Sequence, residues 1–202
     1  MFSINIPFKG NRPYLRGADI YTALVEFAKN QDPLFQGPVT INFRHLPKTA
    51  CAFTLNNKDM TPPTEVYADF SLGKELGSKK TGWLVPIDGA APHRIAFDED
   101  ALIKDAIIND KIIELITPSS GLFIDQVVAL TKKLHMIHRP IAPSSWILTR
   151  IEFEEILFDE PILSIMIKLV QILGSRLTRS EVFYGGKLIG NLYFSGVVIG
   201  AS

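Results

Sequence analysis

The sequence predicts an α+β chain of two halves, residues 1–95 and 96–202, each built from one apolar helix and a set of antiparallel strands. Three observations carry this. Only two long segments, Ala18–Lys29 and Leu122–His135, place apolar residues at helical spacing without an interrupting proline. Most of the remainder is short apolar runs bounded by Gly, Pro, Asn and Asp, the mark of strands and turns. The order strand, turn, helix, four strands occurs twice, at an offset of roughly 105 to 115 residues, too long for a solenoid and right for a duplicated domain.

In chain order, Ser3–Phe8 is a short strand and Asn11–Gly17 a turn. Ala18–Lys29 is a helix with Ile20, Ala23, Leu24 and Phe27 on one face, broken by Gln31–Pro38. Strands are expected at Val39–Leu46, Ala50–Asn56, Thr64–Leu72 and Gly82–Asp88, and Ala90–Arg94 reads as a linker. Asp98 can cap a short helix over Glu99–Ile108. Lys111–Thr117 then restarts the order. Pro118 to Gly121 form a turn, and Leu122–His135 is a helix apolar on most faces, which calls for enclosure. Strands follow at Trp146–Phe158, Ile162–Gln171, Leu177–Tyr184 and Lys187–Ile199. Gly185-Gly186 supplies the positive φ angles of a two-residue hairpin. The triplets Glu65-Val66-Tyr67 and Glu181-Val182-Phe183 are local echoes of the repeat. A helix across an antiparallel meander buries the apolar faces of both, and two such units joined edge to edge lose two exposed edges.

Composition bounds the function. The chain has 202 residues, 47% hydrophobic, with 21 basic and 21 acidic side chains. Zero net charge argues against a nucleic-acid partner. No uncharged apolar run reaches the ~18 residues of a membrane span, and MFSINIPFKG lacks the pattern of a signal peptide. The expectation is a cytoplasmic protein without a membrane partner. Cys51, the one cysteine, lies in the apolar run TACAFTL and reads as a buried, inert thiol.

The second half resembles the hotdog superfamily, closest to its 3-hydroxyacyl-ACP dehydratase-like and thioesterase branch. The resemblance rests on HRPIAPSSWILTRIEF (His138–Phe153), an Arg-Pro-x-x-Pro segment leading into a long strand, and on GGKLIG (Gly185–Gly190), a glycine-lysine turn before the last strand. It covers roughly 80 residues of the second half, and the first half by element order alone. It implies a double hotdog, a tandem pseudo-dimer acting on or binding acyl thioesters of an acyl carrier protein or coenzyme A, in fatty acid or polyketide biosynthesis. It implies no cofactor and no metal, with a homodimer of such chains as a further option. The dehydratases carry a histidine in the turn before the helix. Here the turns are Asn11–Gly17 and Thr117–Gly121, and neither contains one. Dehydration needs both an acid and a base, so hydrolysis, acyl transfer and a non-catalytic partner subunit stand as alternatives.

Asp125, near the place of the family's helix carboxylate, is the candidate acid or base; a carboxylate in a first helical turn also follows from the macrodipole alone. Gly121, with Ser119 and Ser120 before it, is the candidate carbonyl clamp, through a backbone N–H at the positive end of the helix; serine capping accounts for the same residues. Tyr21 and Asp19 are the corresponding polar groups of the first helix. His45 is a second catalytic candidate, facing a tunnel or solvent beside Arg44. Arg139, with Lys132 and Lys133, is a candidate contact for a pantetheine phosphate or a solvated helix end. His135 and His138 have metal-ligand spacing without a visible third ligand, and cationic side chains at a helix C-terminus explain them otherwise.

Overall fold

The structure, a computed structural model, describes residues 1–56, 61–73, 79–89, 92–118, 121–138, 144–157, 163–174 and 176–198. The chain divides into two compact units. The first is Met1–Phe97 with Glu152–Ile156, and the second is Asp98–Ile151 with Leu157–Ser202.

The first unit begins with strands β1 (Phe2–Ile4) and β2 (Phe8–Lys9) and helix α1 (Gly17–Gln31). Strands β3 (Val39–Phe43), β4 (Cys51–Leu55), β5 (Ala68–Leu72) and β6 (Lys80–Pro86) follow. The main sheet runs β1-β4-β6-β5-β3, antiparallel throughout. A last short strand, β7 (Arg94–Ile95), pairs parallel with β2, so the expected linker is in part sheet. α1 buries Ile20, Ala23, Leu24 and Phe27, the face its spacing predicts. Phe27 stacks on Phe53 with centroids 5.6 Å apart, and Phe70 meets Phe53 edge-on at 5.5 Å. Such pairs add about 0.5–1.5 kcal/mol each beyond area burial.

This sheet is not the expected meander. β6 lies between β4 and β5, its neighbours in the ladder. Residues 56–67 connect β4 to β5, long enough that β5 need not lie beside β4. Gly82 marks the crowding that results. It pairs with Leu55 on one side and Phe70 on the other, and a Cβ there would collide with the Thr54 carbonyl oxygen and the Phe70 ring. An aromatic ring thus covers a strand glycine that must stay bare.

The second unit contains a 3₁₀ turn (Ala101–Ile103), β8 (Ile107–Asn109), β9 (Ile112–Leu115), α2 (Phe123–His138), β10 (Ser144–Phe153, whose last residues belong to the first unit), β11 (Ile165–Leu173), β12 (Leu177–Tyr184) and β13 (Lys187–Val198). Its sheet runs β8-β9-β11-β12-β13-β10. Here β11, β12 and β13 do form a meander. Tyr184 pairs with Lys187 across Gly185 and Gly186, whose φ angles of 54° and 81° are both in the left-handed region, as the two-residue turn requires.

Three expectations are corrected. The helix over Glu99–Ile108 is a single 3₁₀ turn. Its N-cap is Asp100, not the expected Asp98, although the Asp98 carboxylate accepts from the Ala101 N–H at 3.1 Å. Ile107–Asn109 instead pairs with β9 across a tight turn in which Asp110 has φ 45°; sheet hydrogen bonds outcompete a short helix with no buried face. The echo triplets do not coincide either, since Glu65–Tyr67 precede β5 whereas Glu181–Phe183 lie inside β12. Residues 158, 162 and 199, expected in strands, and residues 90 and 91 of the expected linker lie outside the described residues.

Candidate functional site

The two helix starts hold four buried polar or charged side chains, Arg16, Asp19, Asp125 and Gln126. In the first unit Arg16 is the N-cap of α1 and makes no side-chain cap bond. Asp19 is the third helical residue and is buried. Its carboxylate accepts the Lys9 ammonium at 2.6 Å and lies 3.9 Å from the Arg16 guanidinium. The Phe97 ring forms the floor, with the Arg16 guanidinium 4.0 Å and the Lys9 ammonium 4.8 Å from its centroid. Lys9, Arg16 and Phe97 had no signal in the sequence reading. Lys9 and Phe97 come from β2 and the segment after β7, which only the fold brings to α1.

Tyr21 follows on the same helix. It is buried, packs edge-on against Phe153 at 5.5 Å, and burial raises the pKa of its hydroxyl. A phenol in that setting stays protonated at neutral pH. A cavity of about 220 Å³ lies at the other end of α1, lined by Ala28, Asp32, Phe35, Leu72 and Lys80 among others. Its helical lining residues Ala28 and Gln31 lie roughly 14–18 Å along α1 from Asp19 at ~1.5 Å rise per residue. His45 is exposed just beyond β3, with its backbone N–H bonded to the Tyr67 carbonyl at 3.2 Å. Cys51 is fully buried in β4, and burial pushes its thiol up to about 12, so the inert thiol expected there is what the fold encloses.

In the second unit Asp125 is likewise the third residue of its helix, 4% exposed. Gln126 beside it is 2% exposed, and its side-chain amide donates to the Gly121 carbonyl at 2.9 Å. The Leu122 carbonyl accepts from the Asp125 N–H at 3.0 Å and the Gln126 N–H at 3.2 Å, so Leu122 is the cap residue. The N–H groups of Gly121 and Leu122 form no hydrogen bond with the described residues. This start therefore combines a buried carboxylate, a fixed turn and backbone donors without a partner among the described residues, at the positive end of a dipole. Gln126 was not singled out by sequence reasoning. Ser120 and Arg139, together with Ser119, lie outside the described residues.

The rest of the expected basic cluster is partly neutralised. The Lys132 ammonium lies 3.2 Å from the Glu99 carboxylate, both four-fifths buried, while Lys133 is exposed. The two histidines at the end of α2 part company. The His138 Nε2 lies 2.7 Å from the Asp110 carbonyl. His135 is buried between Trp146 and Phe194, at ring distances of 4.8 and 5.3 Å, with Ser180 Oγ 3.4 Å from its Nε2. Burial, then the nearby His138, lowers its pKa to about 4. It is thus a neutral core group and not the cation expected at a helix C-terminus. No cluster of three metal-ligating side chains occurs among the described residues. No described helix is long and apolar enough to cross a membrane.

No protein family's sequence profile matches this chain, and no curated protein matches it. Solved structures do. A provisionally named thioesterase II from Thermobifida fusca YX is 11% identical with a TM-score of 0.52, covering 94% of this chain and 89% of its own. A provisionally named oleoyl thioesterase from Lactobacillus plantarum is 7% identical with a TM-score of 0.50, covering 99% and 97%. At these identities what is shared is the backbone plan. The two helix-bearing antiparallel units and this likeness over nearly the whole length identify the chain as an α+β double hotdog.

Proposed function

We propose that this protein hydrolyses acyl thioesters, with the start of α2 as its reaction centre. The observation that carries the reading is a buried Asp125 carboxylate in the first turn of α2, whose preceding Gly121 and Leu122 N–H groups have no hydrogen-bond partner among the described residues. The likeness to two structures named as thioesterases supports the substrate class. Hydrolysis is favoured over dehydration because it needs one proton-transfer group and not two, and the turn before α2 has no histidine.

In this reading the thioester carbonyl oxygen sits against the backbone donors. Asp125 accepts a proton from water as the water oxygen bonds to the carbonyl carbon. The resulting oxyanion is held by the N–H groups, donors that need no reorganisation during reaction. Collapse breaks the C–S bond, and the proton on Asp125 passes to the departing sulfur. The products are a carboxylic acid and a thiol, with Asp125 returned to its carboxylate form. The carrier, coenzyme A or an acyl carrier protein, is the partner, and Arg139 and Ser120 flank this helix in sequence as proposed contacts to it.

The test is release of free thiol from a series of acyl-coenzyme A and acyl-carrier substrates. Thiol release by the wild type, and a fall of about a hundredfold or more in Asp125→Asn, are the expected results. A wild type that binds a thioester analogue without releasing thiol would instead support a non-catalytic acyl-binding subunit.

A further inference from the structure

We infer that the outer face of the second unit's sheet, the side of β11 and β12 turned away from α2, is where two copies of this chain pair about a two-fold axis.

Side chains on a strand alternate between the two faces of its sheet. In β12, Thr178, Ser180 and Val182 are buried, and Ser180 meets His135 of α2, so these three point inward. Leu177, Arg179, Glu181 and Phe183 therefore point outward. Their partners across the ladder are Leu173, Gln171, Lys168 and Met166 of β11, and the register shift between Leu169 and Gln171 keeps all four on the outer face. None of these eight residues is buried. Leu173 and Leu177 are 49% and 37% exposed, and the row Met166–Phe183 continues to Leu188 on β13, 48% exposed. Both ends of the face thus present apolar side chains to water.

Self-complementarity selects a second copy as the occupant. In a two-fold interface, when one residue meets another, the second meets the first. An axis parallel to the strands and midway between β11 and β12 lays β12 of one copy over β11 of the other. Each outward residue then faces, in the other copy, the residue it pairs with in its own sheet. Met166 faces Phe183, Lys168 faces Glu181, Gln171 faces Arg179, and Leu173 faces Leu177. Apolar meets apolar at both ends, and the acid meets a base between them. Lys168 and Glu181 are opposite each other within the chain, yet among the described residues neither forms an ion pair there. Both charges are therefore available to the facing copy. Four strands about 4.8 Å apart and eight residues of about 3.4 Å offer on the order of 500 Å² of sheet per copy. The total, on the order of 1,000 Å², exceeds what chance contacts bury.

Sedimentation of the full-length chain at micromolar concentration is expected to give twice the monomer mass. Lys168→Glu and Glu181→Lys each set like charges against each other twice in the dimer. Each alone is expected to raise the dimer dissociation constant by about a hundredfold or more. An equimolar mixture of the two variants restores opposite charges at both places and is expected to sediment as a dimer again, a rescue that no change within one chain produces. Single variants that dimerise as the wild type does overturn the proposal. Should a variant not fold, the wild type decides. A dimer mixing light- and heavy-nitrogen chains, treated with a zero-length carbodiimide, is expected to yield Lys168–Glu181 cross-links that carry both isotopes. A dimer whose mixed-isotope cross-links lie on other surfaces overturns the proposal. A wild type that stays monomeric leaves this face to a partner of another sequence and overturns it as well.

Discussion

Asp19 and Asp125 are both third residues of their helices, 106 positions apart, and the helix starts around them are built differently. The α1 carboxylate is gripped by the Lys9 ammonium with Arg16 close by. The α2 carboxylate sits beside a neutral amide that fixes the turn ahead of it. The first arrangement spends the carboxylate on an ion pair. The second holds the turn with an uncharged group, and its Gly121 and Leu122 N–H groups have no hydrogen-bond partner among the described residues. The same position on the same fold thus serves packing in one unit and, we propose, chemistry in the other.

The sheets differ in the same instructive way. Both sheets contain an antiparallel pair of consecutive strands, β5–β6 and β12–β13, but it enters the two sheets with its strands exchanged. In the second unit residues 174–176 tie β12 to β11, so β12 must lie next to it. In the first unit residues 56–67 leave β5 untethered, and β6 takes the place beside β4.

If the two units differ as described, four substitutions or conditions should separate them. The largest effect on stability is expected at Asp19. Asp19→Asn leaves buried cations without their carboxylate and should cost about 3–5 kcal/mol in urea unfolding. Asp125→Asn, measured alongside, gives the comparison. Equal losses would erase the distinction between the two carboxylates.

His135 should make the stability of the second unit acid-sensitive. Its folded-state pKa of about 4 lies below the ordinary histidine value. Between the two, the unfolded chain binds a proton that the folded chain does not. The contribution is therefore intact above pH ~6.5 and drains as pH falls toward 4, by about 3 kcal/mol in all. Unfolding measured from pH 7 to 4.5 should show this slope in the wild type and a flatter one in His135→Phe. An identical slope in both would remove His135 from the account.

Gly82→Ala should destabilise the first unit by about 2 kcal/mol, with part of the loss recovered by adding Phe70→Leu. Strict additivity of the two changes would mean that the Phe70 ring does not set the need for glycine.

Much of the fold was legible in the sequence, because its signals are local. α1 and α2 follow from apolar spacing, and the β12–β13 turn from its glycine pair. The exchange of β5 and β6 was not foreseen, although the length of the 56–67 connection was its visible trace. Glu99–Ile108 was misread because a good cap, Asp98, was followed by residues whose partner, β9, lay just beyond the next turn. Asp125 and Gly121 could be singled out from their places at the start of a helix. Gln126 could not, since its role depends on where its side chain turns. Lys9 and Phe97 could not either, being far from Asp19 in sequence, and only folding makes them its neighbours. His135 was read as a helix-end cation because sequence alone does not show that Trp146 and Phe194 bury it.

The central claim is that thioester chemistry belongs to the start of α2. Thiol release from one acyl-coenzyme A substrate, measured for the wild type, Asp125→Asn and Asp19→Asn under conditions where all three are folded, tests it most directly. The account predicts a fall of about a hundredfold or more in Asp125→Asn and near wild-type turnover in Asp19→Asn. Undiminished turnover in Asp125→Asn would contradict it.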